Sequence, residues 1–216
     1  HELTPTSQQT SDGGYIVAGG SKSNDGDVIS NHGGWDYWIV KLDNSGNISW
    51  QKSMGGSGSD EARSIQQTSD GGYIVAGHSE SIDGDVTGNH GSSDYWIVKL
   101  DNVGNISWQK SLGGSGTDFT FSIQQTSDGG YIVAGGSWSN DGDVASNISG
   151  EDYWIVKLDD AGNISWQKSM GGSGHDLTRS IQQTSDGGYI VAGYSGSNNG
   201  DVTGNHGSSD YWIVKL

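Results

Sequence analysis

The sequence predicts an all-β repeat protein, and three observations carry that prediction. First, a block of 58 residues is written almost four times. The stretch Gln8-Gln9-Thr10-Ser11-Asp12-Gly13-Gly14-Tyr15-Ile16-Val17-Ala18-Gly19 returns from Gln66, Gln124 and Gln182, and Asp36–Leu42 returns from Asp94, Asp152 and Asp210. A fixed period of this size is the signature of a repeat architecture. Second, the apolar stretches are short, rich in β-branched and aromatic residues, and show no helical period. Third, they are separated by turn formers: 38 of the 216 residues are Gly and one is Pro. We read the chain as one domain, 1–216, with repeats 1–58, 59–116, 117–174 and 175–216.

The second copy shows the plan. Ser64–Thr68 is a short strand a, and Ser69-Asp70-Gly71-Gly72 is a tight turn of residues that tolerate positive φ. Tyr73–Gly77 is strand b, followed by a long polar loop from Ser79 to Ser93. Asp94–Leu100 is strand c, Asp101–Asn105 a second tight turn, Ile106–Ser111 strand d, and Gly113–Gly116 leads to the next copy. Strand c is apolar on both faces, with Tyr95 and Ile97 on one and Trp96, Val98 and Leu100 on the other. A sheet wetted on one face would alternate polar and apolar. Both faces are therefore expected to be covered by neighbouring units. Four-stranded units stacked this way and arranged radially make a β-propeller, with Trp38, Trp96, Trp154 and Trp212 buried between blades. An open β-repeat array is the alternative.

The last copy stops after strand c at Leu216, so the last blade lacks its outer strand. Three outcomes follow: a four-bladed ring with one three-stranded blade, self-association through the edge strand Asp210–Leu216, or half of an eight-bladed ring completed by dimerisation. A free edge this apolar is open to pairing.

Several stretches of the second and third copies together resemble the bacterial β-propeller repeat family. They are Asp94–Asp101, Gly104-Asn105-Ile106-Ser107-Trp108, Gly113-Gly114-Ser115-Gly116 with Asp118, and Ser127–Gly135. The layout is Kelch-like. The resemblance implies a propeller of the kind found in secreted and surface proteins, hence an extracellular or cell-surface location. It implies no reaction, because function lives in sites grafted on a fold.

Composition narrows the partners. The net charge of −16 argues against nucleic acid, which needs a basic face. No apolar run is long enough to span a membrane as a helix. There is no Cys, so no disulfide staples the fold. The chain begins at His1 without a signal-peptide pattern and reads as a processed or trimmed piece. No nucleophile–base constellation appears, and four near-identical copies offer like environments where an acid–base pair needs unlike ones. We expect no enzyme.

Turns a–b and c–d share one face and are nearly constant; the long b–c loops and the d–a connections share the other and carry the variation. Trp35 and Trp138 stand there among Gly, Ser and Asp, and Tyr194 replaces Gly or His. Aromatic rings beside amides and carboxylates suit stacking on sugars. We therefore expect Trp35, Trp138, Tyr194, Asn31, Asn89 and Asn205 to bind a polysaccharide or glycoconjugate. A multivalent lectin or adhesin is the expected function, and a structural or adhesive spacer or filament subunit is the alternative. Phe119 and Phe121 are expected to fill gaps between blades.

The long loops also repeat oxygen ligands at offsets 1, 3, 7 and 12, an echo of a calcium loop. The carboxylates are Asp25, Asp27 and Asp36; Asp83, Asp85 and Asp94; Asp141, Asp143 and Asp152; and Asp201 and Asp210, with Asn199 in the first place of the last copy. Calcium is the cofactor these offsets admit. The same residues serve equally as Asx turns that cap backbone donors. Asn47, Asn105, Asn147 and Asn163 each open an Asn-x-Ser sequon, but three of them double as turn residues.

Overall fold

A computed structural model describes residues 6–216. It contains fifteen strands and no helix among those residues. They are β1 (Thr6–Gln9), β2 (Tyr15–Ser21), β3 (Asp36–Leu42), β4 (Ile48–Met54), β5 (Asp60–Gln67), β6 (Tyr73–Ser79), β7 (Asp94–Leu100), β8 (Ile106–Leu112), β9 (Asp118–Gln125), β10 (Tyr131–Ser137), β11 (Asp152–Leu158), β12 (Ile164–Met170), β13 (Asp176–Gln183), β14 (Tyr189–Ser195) and β15 (Asp210–Lys215). Each repeat is one antiparallel sheet in sequence order: β1-β2-β3-β4, β5-β6-β7-β8, β9-β10-β11-β12 and the three-stranded β13-β14-β15. Two compact units result, one holding β1 to β8 and the other β9 to β15 together with residues 90–92.

Short-range chemistry fixes each hairpin. In the a–b turn of the first copy, Gly13 takes φ 84°, and Asp12 accepts hydrogen bonds from Thr10 Oγ1 at 2.5 Å and Gly14 N at 3.0 Å. Lys41 crosses the sheet from β3, and its Nζ donates to Asp12 Oδ2 at 2.9 Å. A bulge falls at the same place in the later a strands, where Arg63, Phe121 and Arg179 have no partner in the a–b ladder. Pro5, which takes the place of that Arg in the first copy, lies outside the described residues.

Sheets stack face to face within each unit. In the first unit, Ile16, Ala18, Tyr37, Ile39 and Met54 of one sheet meet Ala62, Ile65, Tyr73, Val75, Val86, Trp96, Val98 and Leu100 of the next. The rings of Tyr37 and Trp96 lie 4.5 Å apart, and the buried Tyr37 hydroxyl donates to the Trp96 carbonyl at 2.8 Å. Trp50 meets Tyr73 edge-on at 5.7 Å. The second unit repeats the arrangement with Tyr153 and Trp212 at 4.6 Å, the Tyr153 hydroxyl donating to Trp212 O at 3.0 Å. Burial pushes both phenols well above their ordinary pKa, so each stays a donor. The constant glycine of strand b makes room for this contact: a Cβ on Gly77 would sit 2.6 Å from the Tyr37 hydroxyl, and one on Gly193 would sit 2.6 Å from that of Tyr153. At the rim, the Gln8 and Gln67 side chains clip neighbouring sheets, with Gln67 N donating to Gln8 Oε1 at 2.6 Å and Ser11 N to Gln67 Oε1 at 2.8 Å.

Burial of the four strand-c tryptophans is uneven. Trp96 and Trp154 are fully buried, whereas Trp38 and Trp212 are only half-buried, against the expectation that all four would be enclosed. A Tyr of the preceding repeat roofs the indole ring of Trp96 and of Trp212, and Gln51, Gln109 and Gln167 on strand d accept the N–H of Trp38, Trp96 and Trp154 at 2.6–2.8 Å. Trp212 lies in the three-stranded sheet, where no strand-d Gln stands beside it.

The stacking contact predicts a stability difference. Tyr37→Phe should lower stability by about 1 kcal/mol, the net worth of a buried hydrogen bond. Tyr211→Phe, at a 94% exposed position, should leave the denaturation midpoint unchanged. Equal midpoints for the two variants would remove the inter-sheet hydrogen bond from the account.

Candidate functional site

The d–a connection Gly-Gly-Ser-Gly forms a cradle of backbone N–H groups, and the next copy fills it with acidic and hydroxyl side chains. In the first unit, Gly56 N donates to Asp60 Oδ2 at 2.8 Å, Ser57 N to Asp83 Oδ1 at 2.7 Å, Gly58 N to Ser81 Oγ at 2.9 Å and Gly55 N to Asp85 Oδ2 at 3.2 Å. Asp60 is itself held by the hydroxyls of Ser79 and Ser81. The second unit builds the same cradle twice. Ser115 N reaches Asp141 Oδ1 at 2.7 Å and Gly114 N reaches Asp118 Oδ2 at 2.9 Å. Ser173 N reaches Asn199 Oδ1 at 2.8 Å and Gly172 N reaches Asp176 Oδ2 at 2.8 Å. Successive N–H groups in a turn make a concavity that attracts anions; here the protein supplies the anion.

The calcium-loop offsets therefore take separate partners. Offsets 1 and 3 (Asp83 and Asp85, Asp141 and Asp143, Asn199 and Asp201) cap the cradle of the preceding copy. Asp25 and Asp27, in the first copy, are exposed. Offset 7 closes the loop onto strand b: Asn31, Asn89, Asn147 and Asn205 Nδ2 donate to the carbonyls of Ser21, Ser79, Ser137 and Ser195. Offset 12 caps the loop's other end, as Asp36, Asp152 and Asp210 accept the N–H of His32, Ile148 and His206; Asp94 is fully buried at the start of β7. His32 Nδ1 lies 2.7 Å from Asp36 Oδ2. Asx capping accounts for these contacts. Among the described residues no group of three His, Asp or Glu is assembled around a common point. The sequon residues Asn47, Asn105 and Asn163 bond Asp43, Asp101 and Asp159 within the c–d turn.

Sequence reasoning missed Asp60, Asp118 and Asp176, which are fully buried. The signal was present: Gly-Gly-Ser-Gly followed two residues later by Asp, and Ser-x-Ser at the end of each strand b. The Gly-Ser run read as a linker because donors on the main chain leave no mark in a sequence.

One cradle in each unit also brings together carboxylates of successive copies. A Cβ on Gly55 would lie 2.9 Å from Asp36 Oδ1, and one on Gly171 would lie 2.6 Å from Asp176 Oδ2, with Asp152 Oδ1 on the same glycine. The Oδ1 atoms of Asp36 and Asp152 are buried with no hydrogen-bond partner. Burial raises the Asp152 carboxyl from an ordinary 3.8 to about 6; the N–H of Ile148 pulls it down, while Asp176 and Asp201 push it further up.

The exposed aromatics separate into two places. Trp138 follows β10, is 45% exposed, and lies 4.9 Å from the His175 ring. Glu151 Oε2 is 3.9 Å from His175 Nδ1. Trp138, His175 and Glu151 thus share the long-loop end of the second unit. Trp35 is half-buried under Lys22, whose Nζ is 5.1 Å from the ring centroid. Tyr194 belongs elsewhere: it pairs with Tyr211 across β14 and β15, with the Arg179 guanidinium 5.6 Å from its ring. That guanidinium also lies 4.3 Å from the ring of Phe121, so Phe121 packs beneath a neighbouring strand.

No family model matches the chain. Over 147 residues, 63% of the chain, it is 27% identical to the regulatory protein FlaEY of Caulobacter vibrioides. A solved protein of unknown function from Bacteroides caccae aligns with a TM-score of 0.44 and 13% identity over 74% of the chain. The chain spans 15% of the length of the first and 48% of the second.

The Asp152 site predicts a pH dependence. A folded-state pKa above the unfolded value means that the folded form binds the extra proton, so this contribution to stability falls as pH rises from about 4 to about 6. Asp152→Asn keeps an acceptor for Ile148 N and removes the charge. It should raise the melting temperature at pH 7 and have little effect at pH 4. An equal shift at both pH values would show that the carboxylate is not strained.

Proposed function

We propose that the chain is a non-catalytic binding module of the extracellular or cell-surface kind, whose four repeats form propeller blades and whose long-loop end takes glycans. The observation that carries this reading is Trp138, an exposed indole beside the His175 ring, which in turn lies 3.9 Å from Glu151. An aromatic face beside polar hydrogen-bonding groups matches the apolar face and polar rim of a sugar ring. Face-to-face stacking of the sheets within each unit supports a radial arrangement of blades. Trp35 offers a second, more covered indole.

Asn31, Asn89 and Asn205 contribute by shaping the loops rather than by presenting free amide N–H groups, since each Nδ2 is bonded to a carbonyl at the end of strand b and to a second carbonyl in the loop. In a calcium-assisted form of this reading, the exposed Asp25 and Asp27 would take the ion.

Trp138→Ala should abolish retention on a glycan array or polysaccharide column and leave the melting temperature nearly unchanged. Trp35→Ala should weaken retention less. Retention by the Trp138→Ala variant equal to that of the parent chain would overturn the assignment of the site. Calcium assistance predicts that chelation lowers both retention and melting temperature, and that Asp25→Asn with Asp27→Asn removes the response to chelator.

A further inference from the structure

The same place in each unit pairs an indole with a charged side chain, and the two pairs are built in opposite ways. In the first unit the charges are matched within the chain. Lys22 Nζ lies 5.1 Å from the centroid of the Trp35 ring, and the Glu61 carboxylate takes Arg63 Nη2 at 2.6 Å. Two repeats later, in the second unit, Trp138 stands in the place of Lys22, Glu151 in that of Trp35 and Leu177 in that of Glu61. Arg179, the counterpart of Arg63, lies over the Phe121 ring at 4.3 Å. The first unit thus has an indole already covered by the chain's own cation. The second has an exposed indole and a carboxylate in its neighbourhood.

We propose, resting on the glycan reading of this site, that its ligand is an amino sugar: a saccharide with a free amine, its ring on Trp138 and its ammonium group at Glu151. Backbone contacts fix both residues before any ligand arrives. Trp138 N donates to Thr117 O at 3.0 Å, and Asp176 N donates to Glu151 O at 2.6 Å. The Glu151 side chain folds over strand b, where a Cβ on Gly136 would lie 2.8 Å from its Oε1 and 2.4 Å from Leu177 Cδ1. Burial beside this apolar floor raises the Glu151 carboxyl above its ordinary range; His175 and Arg179 pull it back, and Asp176 pushes it up again. His175 Nδ1, at 3.9 Å, is beyond hydrogen-bonding distance of the carboxylate, and its side chain is mostly exposed. An ammonium group brings three donors to a poorly hydrated carboxylate, where charge-assisted hydrogen bonds are strong. It is also attracted to the face of an indole, as Lys22 is in the first unit. The net charge of −16 favours the approach of a cation. A neutral hexose would supply only stacking and hydroxyls, and an acidic sugar would set a second carboxylate against Glu151.

Calorimetric titration tests this at about pH 6, between the ordinary ranges of a carboxylate and an amine. It compares a short glucosamine oligomer with its N-acetylated form and with a glucose oligomer of the same length. The glucosamine oligomer should bind about tenfold more tightly than either, the worth of one charge-assisted hydrogen bond. Glu151→Gln should erase that preference. Glu151→Ser, which installs the residue found at this place in the second and fourth copies, serves if the amide disturbs the fold. Glu80→Gln removes a charge from an exposed position of the first unit and should leave the preference intact. Trp138→Ala should abolish binding of all three oligomers. A parent chain that binds the N-acetylated or the glucose oligomer as tightly as the amine would overturn the proposal and leave the glycan reading standing. A preference that survives Glu151→Gln would overturn it too, since that is the mark of general attraction between a cation and an acidic chain. Binding of none of the three also overturns it, and retention on the glycan array then decides whether the wider reading survives.

Discussion

The structure depends on one repeated contact, the stacking of a strand-c Tyr on the strand-c Trp of the following sheet. With only 31% hydrophobic residues, a chain of short strands cannot enclose a separate core for each repeat. Aromatic side chains bury the most surface per residue, and placing them on strand c, the third strand of each sheet, lets one ring serve two sheets. The hydroxyl–carbonyl bond gives the stack a fixed depth and orientation, since a phenol in a dry interface must find an acceptor. The strand-b glycine is the corresponding constraint on the backbone: a methyl group there would lie in the path of the hydroxyl.

The acidic cradles solve a different problem. A connection of four small residues between sheets exposes N–H groups that neither sheet can pair. Carboxylates and serines of the following copy accept them, so the connection is fixed by side chains that arrive from the next repeat. Negative charge is thereby drawn into buried positions. Asp36 and Asp152 carry the consequence, each with one buried oxygen without a partner. The acidity of the chain is in part this capping chemistry, beyond what solubility alone would need.

Much of this was legible before any coordinates. The period, the hairpin turns and the two-faced apolar strand c determine four antiparallel units, because turn chemistry and strand alternation are local. The residues of the cradle were only half legible. Asp83 and Asp25 look alike in the sequence, yet Asp83 caps the Gly-Gly-Ser-Gly backbone of the preceding copy and Asp25 faces solvent. The offsets that echo a calcium loop describe spacing along a chain, whereas the contacts that consume those oxygens run between copies. Trp138 and Tyr194, both variable aromatics in corresponding parts of their copies, separate for a similar reason. One sits past the end of strand b at the loop rim, and the other stands within the strand, facing off the sheet.

By itself the sequence determined the all-β class, the four repeats, the bounds of strands b, c and d to within two residues and the identity of the aromatic faces, since each follows from residue type and short spacing; strand a of the second copy starts at Asp60, four residues ahead of the Ser64 read from the sequence. The tertiary structure decided which of four equivalent tryptophans is enclosed and which carboxylates are buried. Those properties depend on whether a neighbouring sheet is present, and identical residues cannot report it.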